Sequence, residues 1–254
     1  MADEVLVEQR DGVQIITINR PQAKNALNAA VAQQVAAAVD ELDASGELRV
    51  GILTGAGGTF SAGMDLKAFL TGESPSIEGR GLCGITTTPP TKPLIGAVEG
   101  WALAGGFELL LACDLVVAAE TAKFGVPEVK RSLVAGAGAA MLLPRRVPFA
   151  IALELLITGD PMTATRAAEV GLVNKLTGEG DALKGAIEMA TVIAANGPLA
   201  VAATKAIARA SADWSLADGW AEQEKIMRPV FSSEDAREGA TAFAEKRAAV
   251  WKGR

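Results

Sequence analysis

The chain has 254 residues, of which 50% are hydrophobic and 21% charged, and its formal net charge is −6. It contains no histidine and no tyrosine, which excludes Ser-His-Asp and Cys-His triads, HExxH zinc sites and any imidazole or phenolate general base. Acid–base chemistry therefore falls to carboxylates, lysine or cysteine. The acidic balance, without any run of Lys and Arg, also argues against a nucleic-acid-binding surface.

The first half of the chain alternates between strand and helix patterns. Short β-branched runs at 5–7 and 13–19 predict two strands, and Asp11-Gly12 between them predicts a hairpin turn. An alanine-rich helix is predicted over 29–42. The predicted elements that follow are buried strands at 48–54, 94–99 and 115–119 and a short buried helix at 105–112. This alternation indicates parallel β/α units up to about residue 145.

From residue 149 onward the pattern is almost entirely helical. The predicted helices cover 150–157, 163–169, 181–195, 199–211, 216–227 and 234–247. The longest irregular stretch is 73–92, and long loops of this kind are either functional or disordered. The layout predicts an α/β core followed by a helical C-terminal part.

Three local features of the sequence bear on the cellular location of the protein. The apolar segment 101–119 contains Glu108 and Asp114, so we interpret it as buried core and expect no membrane association. Cys83 and Cys113 are too few for a disulfide scaffold. Asp3, with Glu4 after it, stands where a secretory signal would carry basic residues, and we expect a cytoplasmic protein with free thiols.

Common nucleotide and nucleophile motifs are absent. The run from Gly55 to Phe60 follows a predicted strand, but Phe60 stands where GxGxxG needs glycine, and no GK[ST] is present for a P-loop. Ser61 lies in a near match to GxSxG. Without a histidine to activate it, we interpret Ser61 as a turn residue.

Two glutamates are candidate acid–base groups. Gly105-Gly106 opens the predicted helix 105–112 and would leave backbone N–H groups free for a developing oxyanion. Glu108 lies in the first turn of that helix, where it could simply complement the helix dipole, although apolar neighbours should raise its pKa. Glu128 follows Pro127 and also has apolar neighbours; a surface Glu at a helix start is its ordinary alternative. Spacing alone cannot show that the two carboxylates meet.

A set of ordered segments resembles the enoyl-CoA hydratase/isomerase (crotonase) family over almost the whole chain. These segments are 20–28, 60–67, 104–114, 124–128, 164–174 and 243–247. The resemblance implies a crotonase-like α/β fold, a spiral of β-β-α units with a helical C-terminal trimerisation region. We expect a core over 1–195 and a helical oligomerisation region over 196–254. The implied assembly is a homotrimer or a dimer of trimers.

The same resemblance implies a site. The family stabilises a thioester enolate with two backbone N–H groups, which correspond here to Ala62 and Gly105, and its hydratases use two glutamates, which correspond to Glu108 and Glu128. The implied contacts with coenzyme A are Lys24, Ala26, Leu27, Asp65 and Leu66, with Phe243 and Lys246 supplied by a neighbouring subunit. Coenzyme A is part of the acyl-CoA substrate, so no separate cofactor and no metal is expected.

Three hypotheses follow for function. The first is an enoyl-CoA hydratase, which the retained glutamate pair favours. The second is an isomerase or a carnitinyl-CoA dehydratase or racemase-like member, because Phe107 and Arg131 depart from the usual hydratase pattern and add bulk or charge near the expected acyl site. The third is a non-catalytic acyl-CoA-binding member. One fold of this kind supports several chemistries, so the motifs specify acyl-CoA binding better than the reaction.

Overall fold

The computed structural model describes residues 3–254. The strands are β1 (Val5–Arg10), β2 (Val13–Ile18), β3 (Val50–Gly55), β4 (Ser76–Ile77), β5 (Gly81–Leu82), β6 (Leu94–Val98), β7 (Trp101–Leu103), β8 (Leu115–Ala119), β9 (Lys123–Gly125), β10 (Met162–Thr163) and β11 (Lys175–Thr177). The helices are α1 (Ala29–Ala44), α2 (Leu66–Leu70), α3 (Gly105–Ala112), α4 (Ala139–Arg146), α5 (Phe149–Thr158), α6 (Ala164–Glu169), α7 (Ala182–Ala194), α8 (Pro198–Ala210), α9 (Leu216–Phe231) and α10 (Glu234–Glu245).

The main sheet has the order β1-β2-β3-β6-β8-β11, in which β1 is antiparallel to β2 and the other pairs are parallel. Asp11 and Gly12 join β1 to β2 with φ values of 49° and 76°, as a two-residue type I′ hairpin turn requires. The predicted hairpin and parallel β/α units are therefore confirmed. The strands β2, β3, β6 and β8 are almost wholly buried, as expected for a parallel sheet covered on both faces.

A second, smaller sheet runs β10-β9-β7. Each of β6 and β8 leads directly into a strand of this second sheet, β7 and β9 respectively, and α3 follows β7. This strand-strand-helix repeat is the predicted spiral of β-β-α units. One face of the main sheet packs on α7, through Ala186 and Ala190, and α3 lies wholly inside the larger hydrophobic core.

The chain after residue 149 is nearly all helical, as predicted, but the prediction missed the short strands β10 and β11. β11 joins the main sheet beside β8, and its Lys175 pairs with Val117, 58 residues earlier. Strands of two or three residues have too short a pattern to be recognised by periodicity, so distant pairing partners determine them. The irregular stretch 73–92 contains the β4–β5 hairpin.

The helical C-terminal part begins at Pro198, after Gly197. The boundary between a core over 1–195 and an oligomerisation region over 196–254 stays a prediction. The segment 101–119 forms β7, α3 and β8 inside the core. Across residues 3–254 no single helix is both long enough and apolar enough to cross a membrane. The helical segments Ala182–Ala194 and Pro198–Asp213 have the required length and apolar character only when they are taken together, and a bend of 109° separates them.

Candidate active site

The amino end of α3 approaches the segment around Ser61 closely. Ala104, the residue before the helix, has φ 50° and ψ −130°, a conformation that is strained for any residue with a Cβ and that concentrates at functional sites. A Cβ on Gly106 would lie 2.5 Å from the Ser61 carbonyl oxygen, so only glycine fits there. The Gly105 N–H has no acceptor among residues 3–254, as expected in the first turn of a helix.

The amides facing Gly105 come from the segment after β3. The Ala62 N–H donates to the Lys24 carbonyl oxygen at 3.0 Å, so the prediction that Ala62 provides an oxyanion-hole donor does not fit this structure. The Met64 N–H, in contrast, has no acceptor in the part of the chain that is described. A Cβ on Gly105 would lie 3.6 Å from the Met64 nitrogen. The free amides that lie side by side are therefore those of Met64 and Gly105.

Glu108 projects from the first turn of α3 and is only 4% exposed. Its Oε1 accepts hydrogen bonds from the Ala137 N–H at 2.7 Å and from the Ala139 N–H at 3.1 Å. Burial raises the pKa of the Glu108 carboxyl, and the hydrogen bonds from these amides partly oppose the rise. The two amides at the start of α4 fix one carboxyl oxygen, and Oε2 has no partner within residues 3–254.

Glu128 lies in a 3-10 helix (Pro127–Arg131) that follows β9. Its Oε2 is buried without a hydrogen-bond partner among the described residues. Burial raises the pKa of the Glu128 carboxyl, and the charge of Glu108 raises it further. The structure therefore brings the two predicted glutamates within electrostatic range, although they are 20 positions apart in sequence.

A turn between β2 and α1 holds several residues predicted to contact coenzyme A. Lys24 and Asn25 both have left-handed backbones, with φ of 52° and 53°. The Asn25 side chain donates to the carbonyl oxygens of Ala56 and Thr59, at 2.8 and 2.6 Å. These hydrogen bonds fix the turn, which leaves Lys24 exposed and Ala26 half-buried.

Two of the predicted coenzyme A contacts, Leu27 and Asp65, have structural partners within the chain. Leu27 is fully buried, its N–H donates to the Gly63 carbonyl oxygen, and its own carbonyl oxygen accepts from the Asp65 N–H. The prediction of a ligand contact therefore does not fit Leu27. The Asp65 carboxylate caps α2 and pairs with Arg20 at 3.0 Å. The hydrogen bond from Arg20 and those from the α2 amides outweigh burial and lower the pKa of Asp65.

The remaining predicted contacts lie at the surface. Leu66 is 56% exposed and Phe243 is 88% exposed. Lys246 is the left-handed residue that ends α10. Within one chain Phe243 packs against little, so its contribution to a neighbouring subunit stays a prediction.

Known proteins resemble this chain over almost its whole length. The enoyl-CoA hydratase/isomerase family model matches residues 8–254. The chain belongs to this family. It is 44% identical to enoyl-CoA hydratase EchA19 of Mycobacterium tuberculosis over 96% of this chain and 95% of that protein. It is 40% identical to carnitinyl-CoA dehydratase of Salmonella typhi over the full length of both. The crystal structure of enoyl-CoA hydratase EchA1 from Mycobacterium marinum is 61% identical, with a TM-score of 0.98 over 99% of this chain and 100% of that one.

Phe107 and Arg131, the two residues that depart from the usual hydratase pattern, lie in different environments in the structure. Phe107 is fully buried in the core, and its ring centroid is 6.1 Å from that of Phe124. The Phe107 side chain therefore packs within the hydrophobic core. Arg131 is exposed, and its charge opposes the rise in the pKa of Glu128. Ser61 is buried and forms an isolated β-bridge with Ala102, so the prediction that it is a turn residue was wrong. Its hydroxyl donates to the Asn25 carbonyl oxygen and accepts from the Gly63 N–H, which gives Ser61 a structural role.

Sequence reasoning missed Met64 and Arg20. Met64 follows Gly63 and carries no polar side chain, so its free N–H is visible only in the hydrogen-bond pattern. Arg20 donates to the Ala26 carbonyl oxygen at 2.6 Å as well as to Asp65, and so ties the turn to the start of α2. Residues 3–254 contain no cluster of His, Cys, Asp and Glu that could hold a metal ion.

Proposed function

We propose that the site catalyses the reversible addition of water across the 2,3 double bond of an enoyl-CoA thioester to give a 3-hydroxyacyl-CoA. The observation that carries this proposal is the meeting of Glu108 and Glu128, two buried carboxyls with raised pKa values, each with an oxygen that lacks a partner among residues 3–254. Two carboxyls in unlike environments are a usual arrangement for paired acid and base roles. Family membership supplies the acyl-CoA substrate class.

The oxyanion hole is assigned to the N–H groups of Met64 and Gly105 rather than to Ala62 and Gly105. Attack at Cβ moves negative charge onto the thioester oxygen, and two preorganised amides stabilise that charge as it develops. Gly105 adds the positive end of the α3 dipole. The Ala62 N–H is unsuited because it already donates to Lys24.

Glu108 acts as the general base. The amides of Ala137 and Ala139 hold Oε1, which leaves Oε2 to accept a hydrogen bond from the attacking water. The same amides favour the ionised form, because hydrogen bonds to a carboxylate lower its pKa against the effect of burial. Glu108 is therefore the carboxyl better suited to begin the reaction as an anion.

Glu128 acts as the general acid. No amide of another residue donates to its carboxyl among the described residues, and the charge of Glu108 favours its neutral form. Glu128 delivers its proton to Cα while Glu108 takes one from water, so the pair holds a single proton before and after the addition. Exchange of that proton between the two carboxyls resets the site.

The second candidate, a carnitinyl-CoA dehydratase-type reaction, is supported by the relatives of that name that match over their full length. The exposed Arg131 beside Glu128 opposes it, because a cationic acyl group would approach a like charge. An isomerase can work with one carboxyl, and the retained pair disfavours this alternative and a non-catalytic one.

The surface of the helical C-terminal part supports a homotrimer or a dimer of trimers. Leu216, Trp220, Phe231 and Phe243 are each at least 70% exposed on α9 and α10, and exposed apolar patches of this kind mark subunit contacts. In such an assembly Phe243 and Lys246 would reach a neighbour's coenzyme A, beside that subunit's Lys24, Ala26, Asp65 and Leu66. The proposed location is the cytoplasm.

Turnover on a panel of CoA thioesters tests the function. Purified protein is incubated with crotonyl-CoA, a longer enoyl-CoA, a 3-enoyl-CoA and crotonobetainyl-CoA, and loss of enoyl absorbance is followed together with product mass. Addition of one water to crotonyl-CoA is the expected result. Binding without turnover on every thioester would contradict the proposal, and exclusive turnover of crotonobetainyl-CoA would favour the second candidate.

A further inference from the structure

A cavity of about 700 Å³ lies away from the glutamate pair. It opens between α4, the end of α7 and one face of α8, against the residues that precede β6 and β8. The helix α3 begins at the glutamate site and ends at this cavity, so the two are separated by the length of eight helical residues, about 12 Å. The volume is in the range of small-molecule sites.

The walls of the cavity are mainly apolar, and cations from both α4 and α8 also line it. Leu142, Ile193, Val201 and Ala208 contribute apolar surface. The charged residues that line the cavity are Asp114, Arg145, Arg146, Lys205 and Arg209. One carboxylate thus shares the cavity with four cations.

Asp114 is already fully engaged. Its Oδ2 lies 2.6 Å from Lys205 Nζ, and its Oδ1 lies 2.8 Å from Arg209 Nη2. The Leu94 N–H also donates to Oδ2 at 2.8 Å. With a single negative charge, Asp114 compensates one of its two cations and leaves one positive charge over.

Arg146 adds a second uncompensated charge. Its Nη1 donates to the Cys113 carbonyl oxygen at 3.0 Å, and it makes no ion pair with any carboxylate of residues 3–254. A carbonyl at a helix end carries only a partial charge, so the guanidinium keeps most of its own. Arg145 pairs with Asp213 at 2.9 Å and is therefore balanced.

The neighbouring charges do not remove this excess. Asp43 also acts on Lys205, but it lies outside the cavity lining together with Lys92, a cation on which it acts as well, so the two add no net charge. The cavity thus combines a surplus of two positive charges with apolar walls. Arg146 keeps donors free for a carboxylate, which its planar guanidinium can bind in a bidentate manner.

We propose that this cavity is a second ligand site, which binds an amphiphilic carboxylate of the free fatty acid class with its head on Arg146 and its tail along the apolar face of α8. The site is independent of the hydration reaction. Ligand binding there and acyl-CoA binding at the glutamate pair do not exclude one another, because α3 separates them.

Calorimetric titration with decanoate tests the proposal, with 1-decanol as a ligand that has the same tail and no charge. We expect saturable binding at one site per chain that weakens as salt is raised and is unaffected by saturating crotonyl-CoA. Arg146→Gln should weaken decanoate about tenfold or more, whereas Arg166→Gln, which removes a surface cation paired with Glu169, should bind as the wild type does. Equal affinity for decanol, unchanged affinity in Arg146→Gln or displacement by crotonyl-CoA would overturn the proposal.

A second variant separates a ligand from another copy of the chain as the occupant. Ala208→Trp places an indole in the cavity from its exposed position on α8. Loss of decanoate binding with an unchanged sedimentation coefficient supports the proposal. A change in the sedimentation coefficient would show that a second copy fills the cavity and would overturn it.

Discussion

Replacing Glu108 with Gln separates the chemical role of this carboxyl from its structural one. The Gln oxygen can still accept from the amides of Ala137 and Ala139, at the positions where Oε1 now lies 2.7 and 3.1 Å from them. Only Oε2, the oxygen assigned to the water, is exchanged for a group that cannot take a proton. A general base contributes about 10²–10⁴-fold, which corresponds to about 3–5 kcal/mol of the barrier. We expect crotonyl-CoA hydration to fall by that factor.

The folding stability of the same variant should move in the opposite direction. Because burial raises the pKa of Glu108 above its ordinary value of 4.5, its stabilising contribution is complete below pH 4.5 and is lost as pH rises through the folded pKa. Gln carries no such penalty. The melting temperature of Glu108→Gln relative to wild type should therefore increase across that pH window and stay equal or higher at pH 7.

Glu99→Gln is the matched control. The Glu99 carboxylate accepts from the N–H groups of Gly180 and Ala182 at the start of α7, so its hydrogen bonds are to a different element from those of Glu108. We expect normal kcat and a small loss of melting temperature, since a cap contributes about 1 kcal/mol. Near-normal turnover in Glu108→Gln, or a melting temperature several degrees below wild type, would refute the reasoning.

Three further predictions concern the same region. Glu128→Gln should lower kcat by about 10²–10⁴-fold and abolish the decline in activity as pH rises through the raised pKa of Glu128; a pH–rate profile with that decline intact would contradict the acid role. Gly106→Ala should lower stability by about 1–3 kcal/mol, measured by urea unfolding, because its Cβ would lie 2.5 Å from the Ser61 oxygen; wild-type stability would refute the close approach. Ala104→Gly should raise the melting temperature with activity retained, since it relieves strain of about 1–3 kcal/mol at φ 50°; a lower melting temperature would argue against strain there.

The sequence by itself determined the family, the parallel α/β core and the two candidate glutamates. These features are local or ordered along the chain. Asp11-Gly12 specifies its hairpin turn because both positions need positive φ. Glu108 is placed in the first turn of α3 by the Gly-Gly pair that opens the helix. Such features depend on residues within a few positions of one another.

The tertiary structure decided which groups are free to act. Glu108 and Glu128 meet because the sheets bring α3 and the end of β9 together, which their spacing of 20 positions could not indicate. The Ala62 N–H donates to Lys24, 38 positions earlier in the chain, while that of Met64 stays free. Since hydrogen bonds between distant segments consume some polar groups and leave others, availability for catalysis is a property of the fold and not of the motif.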